Sequence, residues 1–126
     1  MEGTLLSNRY QLAAEIGSGG MGTVYRAVDL RTGGTVAIKL IHPHLARDPQ
    51  YALRLRREAR IAASIMSPRV VKVTDLDESD GYLFLVMEFV AGRPLSALLA
   101  EHGRLPVTEA LSITTEVARA LEAALA

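Results

Sequence analysis

Up to about Glu88 the apolar and polar residues fall into short runs that read as strands, each bounded by glycine or aspartate. The runs are Tyr10 to Ile16, Thr23 to Leu30, Thr35 to Ile41, Val70 to Asp77 and Tyr82 to Glu88. They are rich in β-branched and aromatic residues or alternate with the period of two expected of a half-buried strand. Between the third and fourth run the period becomes helical, in DPQYALRLRREARIAASIMSP. There Asp48 suits an N-cap, Pro49 a first helical turn, and Pro68 stands beyond the end. At roughly 100° per residue, Tyr51, Leu55, Glu58, Ala62 and Ile65 share one stripe, with Arg56 and Arg60 on the opposite side. After Glu88 the texture changes again. Phe89 to Arg93 makes a connector containing Gly92, PLSALLAEHG reads as a short helix closed by Gly103, and PVTEALSITTEVARALEAALA reads as a longer one. The pattern predicts a sheet of five strands with one helix, then two helices, with a boundary near residue 90.

Composition adds limits. The chain has 126 residues, 49% hydrophobic and 22% charged, which suits a globular domain with its own core. Fourteen basic residues balance fourteen acidic ones, so there is no general field for nucleic acid or an anionic membrane, and any bound anion must be held locally. The absence of cysteine excludes a disulfide framework, a thiolate metal site and a thiol nucleophile, and agrees with a reducing, cytoplasmic setting. MEGTLLSNRY lacks the basic segment and apolar run of a signal peptide, and no window approaches the roughly 20 apolar residues of a membrane span.

Candidate chemistry begins in EIGSGGMGTVYRA, where Gly17, Gly19 and Gly22 form G-x-G-x-x-G. Alone this is a weak motif that a glycine-rich hairpin turn also produces. Glycine permits positive φ and lets backbone N–H groups approach an anion closely. A Walker loop would need Gly-Lys-Ser/Thr, and here Thr23 and Val24 follow Gly22. A dinucleotide fingerprint would need a helix to open after the last glycine, but TVYRAVDL reads as a strand. What remains is strand, glycine loop, antiparallel strand, the geometry of a flap over a nucleotide.

In TVAIKLI, Ala37, Lys39 and Ile41 share one strand face. A small residue beside Lys39 leaves room for a flat ring over Ala37 while the ammonium reaches phosphates; a lone strand lysine is more often an edge protector. The helical stripe bears on the choice, because Glu58 stands in an otherwise apolar row, and a carboxylate facing a sheet needs a cation. Lys39 is the available one.

With IGSGGMGTV, VAIK, RREA and LVMEFVAGRPL in this order, the chain resembles the N-terminal lobe of a eukaryotic-like (Hanks-type) protein kinase of the bacterial serine/threonine group, along almost its whole length. The resemblance implies an α+β kinase-like N-lobe over residues 1–90, with a glycine-rich loop at 16–24, and the hinge exit and first C-lobe helices over 91–126. It implies that Ile16, Gly17, Ser18, Gly19, Gly20, Met21, Gly22, Thr23 and Val24 cover ATP. Lys39 would contact the α- and β-phosphates and pair with Glu58 in the active arrangement. Ile16, Val24, Ala37 and Val71 would wall the adenine pocket, Met87 would stand as gatekeeper, and backbone groups of Glu88 and Val90 would meet the adenine edge. Pro94 stands where some kinases hold the ribose with an acid, so no side-chain contact is expected there.

The resemblance also implies γ-phosphoryl transfer from Mg-ATP to protein hydroxyls, with a protein substrate and a kinase homodimer as partners. No H-R-D-type or D-F-G-type motif occurs in the sequence, so the catalytic aspartate and the magnesium ligands are expected downstream and no metal ligand is expected here. Asp75, Asp77 and Asp80 read as turn and solvent residues. His42 and His44, flanking Pro43, read as loop residues rather than metal ligands, and His102 sits by a helix end. Apolar residues on several sides of the last helix (Ala110, Leu111, Ile113, Val117, Ala118, Leu121, Ala124, Leu125) suggest burial within a larger lobe and the first part of a longer chain, which further along could be membrane-anchored. Two alternatives stay open: a nucleotide-binding pseudokinase, and a non-catalytic fragment that binds a partner through that helix.

Overall fold

A computed structural model describes residues 1–92 and 95–125. The strands are β1 (Leu5–Leu6), β2 (Tyr10–Ser18), β3 (Gly22–Asp29), β4 (Thr35–Ile41), β5 (Val73–Ser79) and β6 (Tyr82–Glu88). They form one antiparallel sheet in the order β1-β2-β3-β4-β6-β5. There are thus six strands where alternation predicts five. The extra one, β1, pairs Leu5 with Gln11 and Leu6 with Tyr10, and two residues are too few to carry a period. β5 also begins at Val73 instead of Val70 and runs on to Ser79. It turns into β6 through Asp80 and Gly81, both at positive φ. Asp77 is therefore a strand residue with a partner: its Oδ2 accepts from the Ser7 hydroxyl at 3.0 Å.

The helices of the first part are α1 (Pro43–Ala46), a single turn where the sequence reads as loop, and α2 (Pro49–Ala63). Asp48 caps α2 as expected, its side chain accepting from the backbone of Gln50 and Tyr51. Two apolar clusters lie on opposite faces of the sheet. On one, Leu6, Tyr10, Leu12, Tyr25, Ala27, Ile38, Phe84 and Val86 pack together, with the Tyr10 and Phe84 rings edge to face at 6.0 Å. On the other, Ile41 and Leu83 meet Leu55 of α2. The first cluster is enclosed because the sheet curls until its two ends meet. The turn after β1 reaches β5, where Ser7 N–H donates to Ser79 Oγ at 2.9 Å beside the Ser7–Asp77 bond.

A bidentate ion pair fastens the β2 entry to the end of β3: Arg9 Nε and Nη2 donate to the two Asp29 carboxylate oxygens at 2.9 Å each. Asp29 is 4% exposed and also accepts from the Arg31 N–H. The Arg9 hydrogen bond is the main reason its carboxyl is held well below the ordinary 3.8, at about 2, and the Arg31 N–H adds to it against the opposing effect of burial.

The chain divides into two compact units, residues 1–64 with 71–89, and residues 65–70 with 90–126. The second unit holds α3 (Leu95–His102) and α4 (Val107–Leu125). Within it Arg69 Nε donates to Glu116 Oε2 at 2.9 Å. Gly103 closes α3 at φ 75°. Leu111, Val117 and Leu121 of α4 are exposed. Pro94 and the side chains of His102, Ala124 and Leu125 lie outside the described residues.

Candidate functional site

β2 and β3 form the hairpin that carries the glycines, with Gly17 opposite Val24 and Ser18 opposite Thr23. The ladder shifts register twice before the loop, between Leu12 and Glu15 and again between Glu15 and Gly17. Such irregularity bends a strand away from its neighbour. The Gly19 N–H donates to the Gly22 carbonyl at 3.0 Å and closes the tip. Positive φ is not what these glycines supply, since none of Gly17, Gly19, Gly20 and Gly22 adopts it. Close approach is required at Gly22, where a Cβ would run into the Leu40 carbonyl of the neighbouring strand. At Gly17, Gly19 and Gly20 a Cβ would meet nothing, so there the backbone lies bare of any side chain.

Lys39 lies in the middle of β4, opposite Val24 on β3 and Leu85 on β6. It is partly buried and shares a strand face with Ala37 and Ile41. Along this face the packing changes. Ile41 packs with Leu55 of α2, whereas Ala37 stands opposite Met87. The loop from Gly17 to Gly22, Val24 and Lys39 line one cavity of about 410 Å³. Strand register thus brings the glycine loop and Lys39 to one cavity.

Thr23 is partly buried in the hairpin, Ala37 is buried, and Met87 is partly buried opposite Val73 and Ala37. Ile16 and Val71 are exposed. The Glu88 backbone N–H donates to the Lys72 carbonyl at 2.9 Å, and its carboxylate accepts from the Lys72 N–H at 3.2 Å. Val90 is exposed and belongs to the second unit.

Glu58 corrects the sequence reading. It is exposed, and among the described residues no ion pair joins it to Lys39. The residues that α2 buries are Leu55 and Ala59. Glu58 and Ala59 flank Leu55 at roughly −60° and +40° on the helical wheel, and burial falls on the Ala59 side. The carboxylate is left on the rim, where it lines a separate cavity of about 280 Å³ with Met21, Tyr51, Arg54 and Leu55. The sheet-facing carboxylate inferred from the stripe is therefore absent, and with it the electrostatic demand on Lys39.

His42, which the sequence leaves in a loop, follows β4 directly and sits beside the glycine loop. Neither spacing nor a motif marks it. Among the described residues no group of three or more histidine, aspartate or glutamate side chains is placed to hold a metal ion.

Known proteins match this arrangement over nearly the whole chain. The family model described as protein kinase domain matches residues 10–124. The chain is 43% identical over 123 residues to a probable serine/threonine-protein kinase, pknA2, of Bifidobacterium longum, covering 95% of this chain and 16% of that one. It is 40% identical over 127 residues to the serine/threonine-protein kinase PknA of Mycobacterium tuberculosis, covering 97% and 30%. The crystal structure of a double mutant of the Mycobacterium tuberculosis PknI kinase domain superimposes with a TM-score of 0.87 at 32% identity, covering 98% of this chain and 51% of that one. The chain thus spans about half of that solved kinase domain and less than a third of these curated relatives.

Proposed function

The chain belongs to the protein kinase family, and on that premise we propose that it is the ATP-binding part of a serine/threonine kinase. The observation that carries this reading is the single cavity lined by Gly17 to Gly22, Val24 and Lys39. The bare backbone of the loop offers N–H donors such as that of Gly20, and Lys39 supplies a positive charge with three more, the complement that phosphate oxygens need. Ala37, opposite Met87, is small enough to leave room for the adenine, with Ile16, Val71 and the chain at Glu88 as its other contacts in the first unit. Bound ATP brings the phosphoryl group; the chain's own share is to hold the phosphates and neutralise part of their charge.

Transfer to a protein hydroxyl is proposed for the whole kinase. Among the described residues no cluster of acidic or histidine side chains is placed to hold magnesium. Glu58 is proposed to reach Lys39 in a second arrangement of α2, so Glu58→Gln should slow turnover of the full-length kinase. A second reading for these 126 residues, in whose sequence no H-R-D-type or D-F-G-type motif occurs, is a nucleotide binder that does not transfer. Among the described residues no helix is long and apolar enough to cross a membrane, and we place this part of the kinase in the cytoplasm.

The test is titration of the chain with a fluorescent ATP analogue. A charge-assisted hydrogen bond contributes about 1.5–3 kcal/mol, so Lys39→Met should weaken binding by about 10- to 100-fold while leaving the fold intact. In the full-length kinase the same substitution should abolish phosphoryl transfer. Unchanged affinity in Lys39→Met would overturn the assignment of the lysine.

A further inference from the structure

One residue at the end of β4 holds the glycine loop by two of its atoms. The His42 backbone N–H donates to the Met21 carbonyl at 2.8 Å, and its ring Nε2 lies 2.9 Å from the Gly19 carbonyl oxygen. A carbonyl only accepts, so the ring nitrogen in this contact carries its proton. The His44 ring stacks on that of His42, with centroids 5.8 Å apart and planes 14° from parallel, which restrains the plane of the His42 ring. No other side-chain hydrogen bond joins the loop tip, Gly19 to Met21, to the rest of the chain among the described residues.

The consequence follows from the planarity of a trans peptide. The carbonyl of Gly19 and the N–H of Gly20 belong to one peptide unit and point in opposite directions. Glycine on both sides of that unit gives it little resistance to flipping. With the carbonyl tied to His42, which is not among the residues lining the loop cavity, the Gly20 N–H is turned away from His42. A flipped unit would instead present an oxygen where an anion is to be held. We propose that His42 is a positioning residue for nucleotide binding: it locks the Gly19–Gly20 peptide so that the Gly20 N–H is held ready as a donor to a phosphate oxygen. This rests on the reading of the loop as a phosphate cover.

The test uses His42→Phe, which keeps a ring to stack on His44 but has no donor, and His42→Gln, whose amide N–H restores one at a similar reach. Two quantities are read on the 126-residue chain: exchange of the Gly19 amide without nucleotide, and affinity for a fluorescent ATP analogue. Loss of one hydrogen bond of ordinary net strength corresponds to about two- to tenfold. In His42→Phe, exchange should quicken and affinity fall by about that factor, with both recovering in His42→Gln. Unchanged exchange, or faster exchange with unchanged affinity, overturns the proposal, the latter leaving His42 a structural tie only. Wild-type-like binding by His42→Phe beside weak binding by Lys39→Met overturns this proposal and spares the nucleotide reading. A wild-type chain with no affinity for the analogue overturns both.

Discussion

Gly20 and Gly22 are separated by Met21 alone, yet their environments predict opposite sensitivities. A methyl group at Gly22 would press on the backbone oxygen of Leu40, and backbone cannot swing aside as a side chain does. Gly22→Ala should therefore cost about 1–3 kcal/mol, in the range of overpacking, read from the midpoint of urea unfolding. At Gly20 the space is open and φ is not positive, so Gly20→Ala should change stability by less than about 1 kcal/mol in either direction. Equal effects at the two positions would contradict the close β3–β4 approach. Asp29 sets a pH dependence by the same local logic. Its carboxyl titrates at about 2 in the folded chain and at an ordinary 3.8 when free, so the charged form is favoured by folding. The stability it contributes is complete above about pH 3.8 and is lost as pH falls through about 2. Asp29→Asn should be less stable than wild type at neutral pH, and the gap in thermal midpoint should narrow between pH 4 and 2. A gap independent of pH would rule out the Arg9–Asp29 pair as its source.

At the scale of elements, α2 owes its start to Asp48, whose Oδ1 accepts from Gln50 N–H at 3.0 Å and Tyr51 N–H at 3.4 Å. Asp48→Ala should cost about 1 kcal/mol and Asp48→Asn much less, as measured by thermal unfolding; equal losses would mean that the cap contributes nothing. Such start signals are legible because they are local. Asp48-Pro49 before an apolar period, and the alternation in Thr35 to Ile41 and Tyr82 to Glu88, mark elements at the bounds found in the structure. Other features depend on contacts that no short window contains. β1 exists because Leu5 and Leu6 pair with β2, and the late start of β5 follows from its pairing with β6 at Val73. The rotation of α2 is of this kind too. Tyr51 and Leu55 define a stripe, but whether burial leans to Glu58 or Ala59 depends on what lies beside it, and Ala59 shares a cavity lining with Val73, Asp75 and Leu76 of β5. The loop and Lys39 were legible together for the opposite reason, since an antiparallel hairpin followed by a paired strand leaves little choice of register between Val24 and Lys39.

At the scale of the first compact unit, the two apolar clusters are not separate folding units, because they use opposite faces of the same strands. Phe84 and Leu83 are consecutive on β6 and point to different clusters, and Ile38 and Ile41 do the same on β4. Removing either face exposes the backbone ladder that the other needs, so damage to one should be felt by both. Phe84 is fully buried beneath Tyr10, and Phe84→Ala should cost about 3–5 kcal/mol from lost transfer energy and the cavity left behind. Leu55→Ala, in α2 over the far face, should cost about 2–5 kcal/mol. Both losses are large beside the 5–15 kcal/mol that typical domains have in total. The distinguishing measurement is residue-resolved: amide signals from Leu12 and Ala27 on one side and from Leu55 and Ala59 on the other, followed through a urea titration of each variant. A shared midpoint that moves down for all four residues in both variants is expected. If Leu55→Ala released α2 at low urea while Leu12 and Ala27 kept the wild-type midpoint, the helix would be a separately melting cover. Lys39, whose strand carries both faces, would then owe its position to the curled sheet alone.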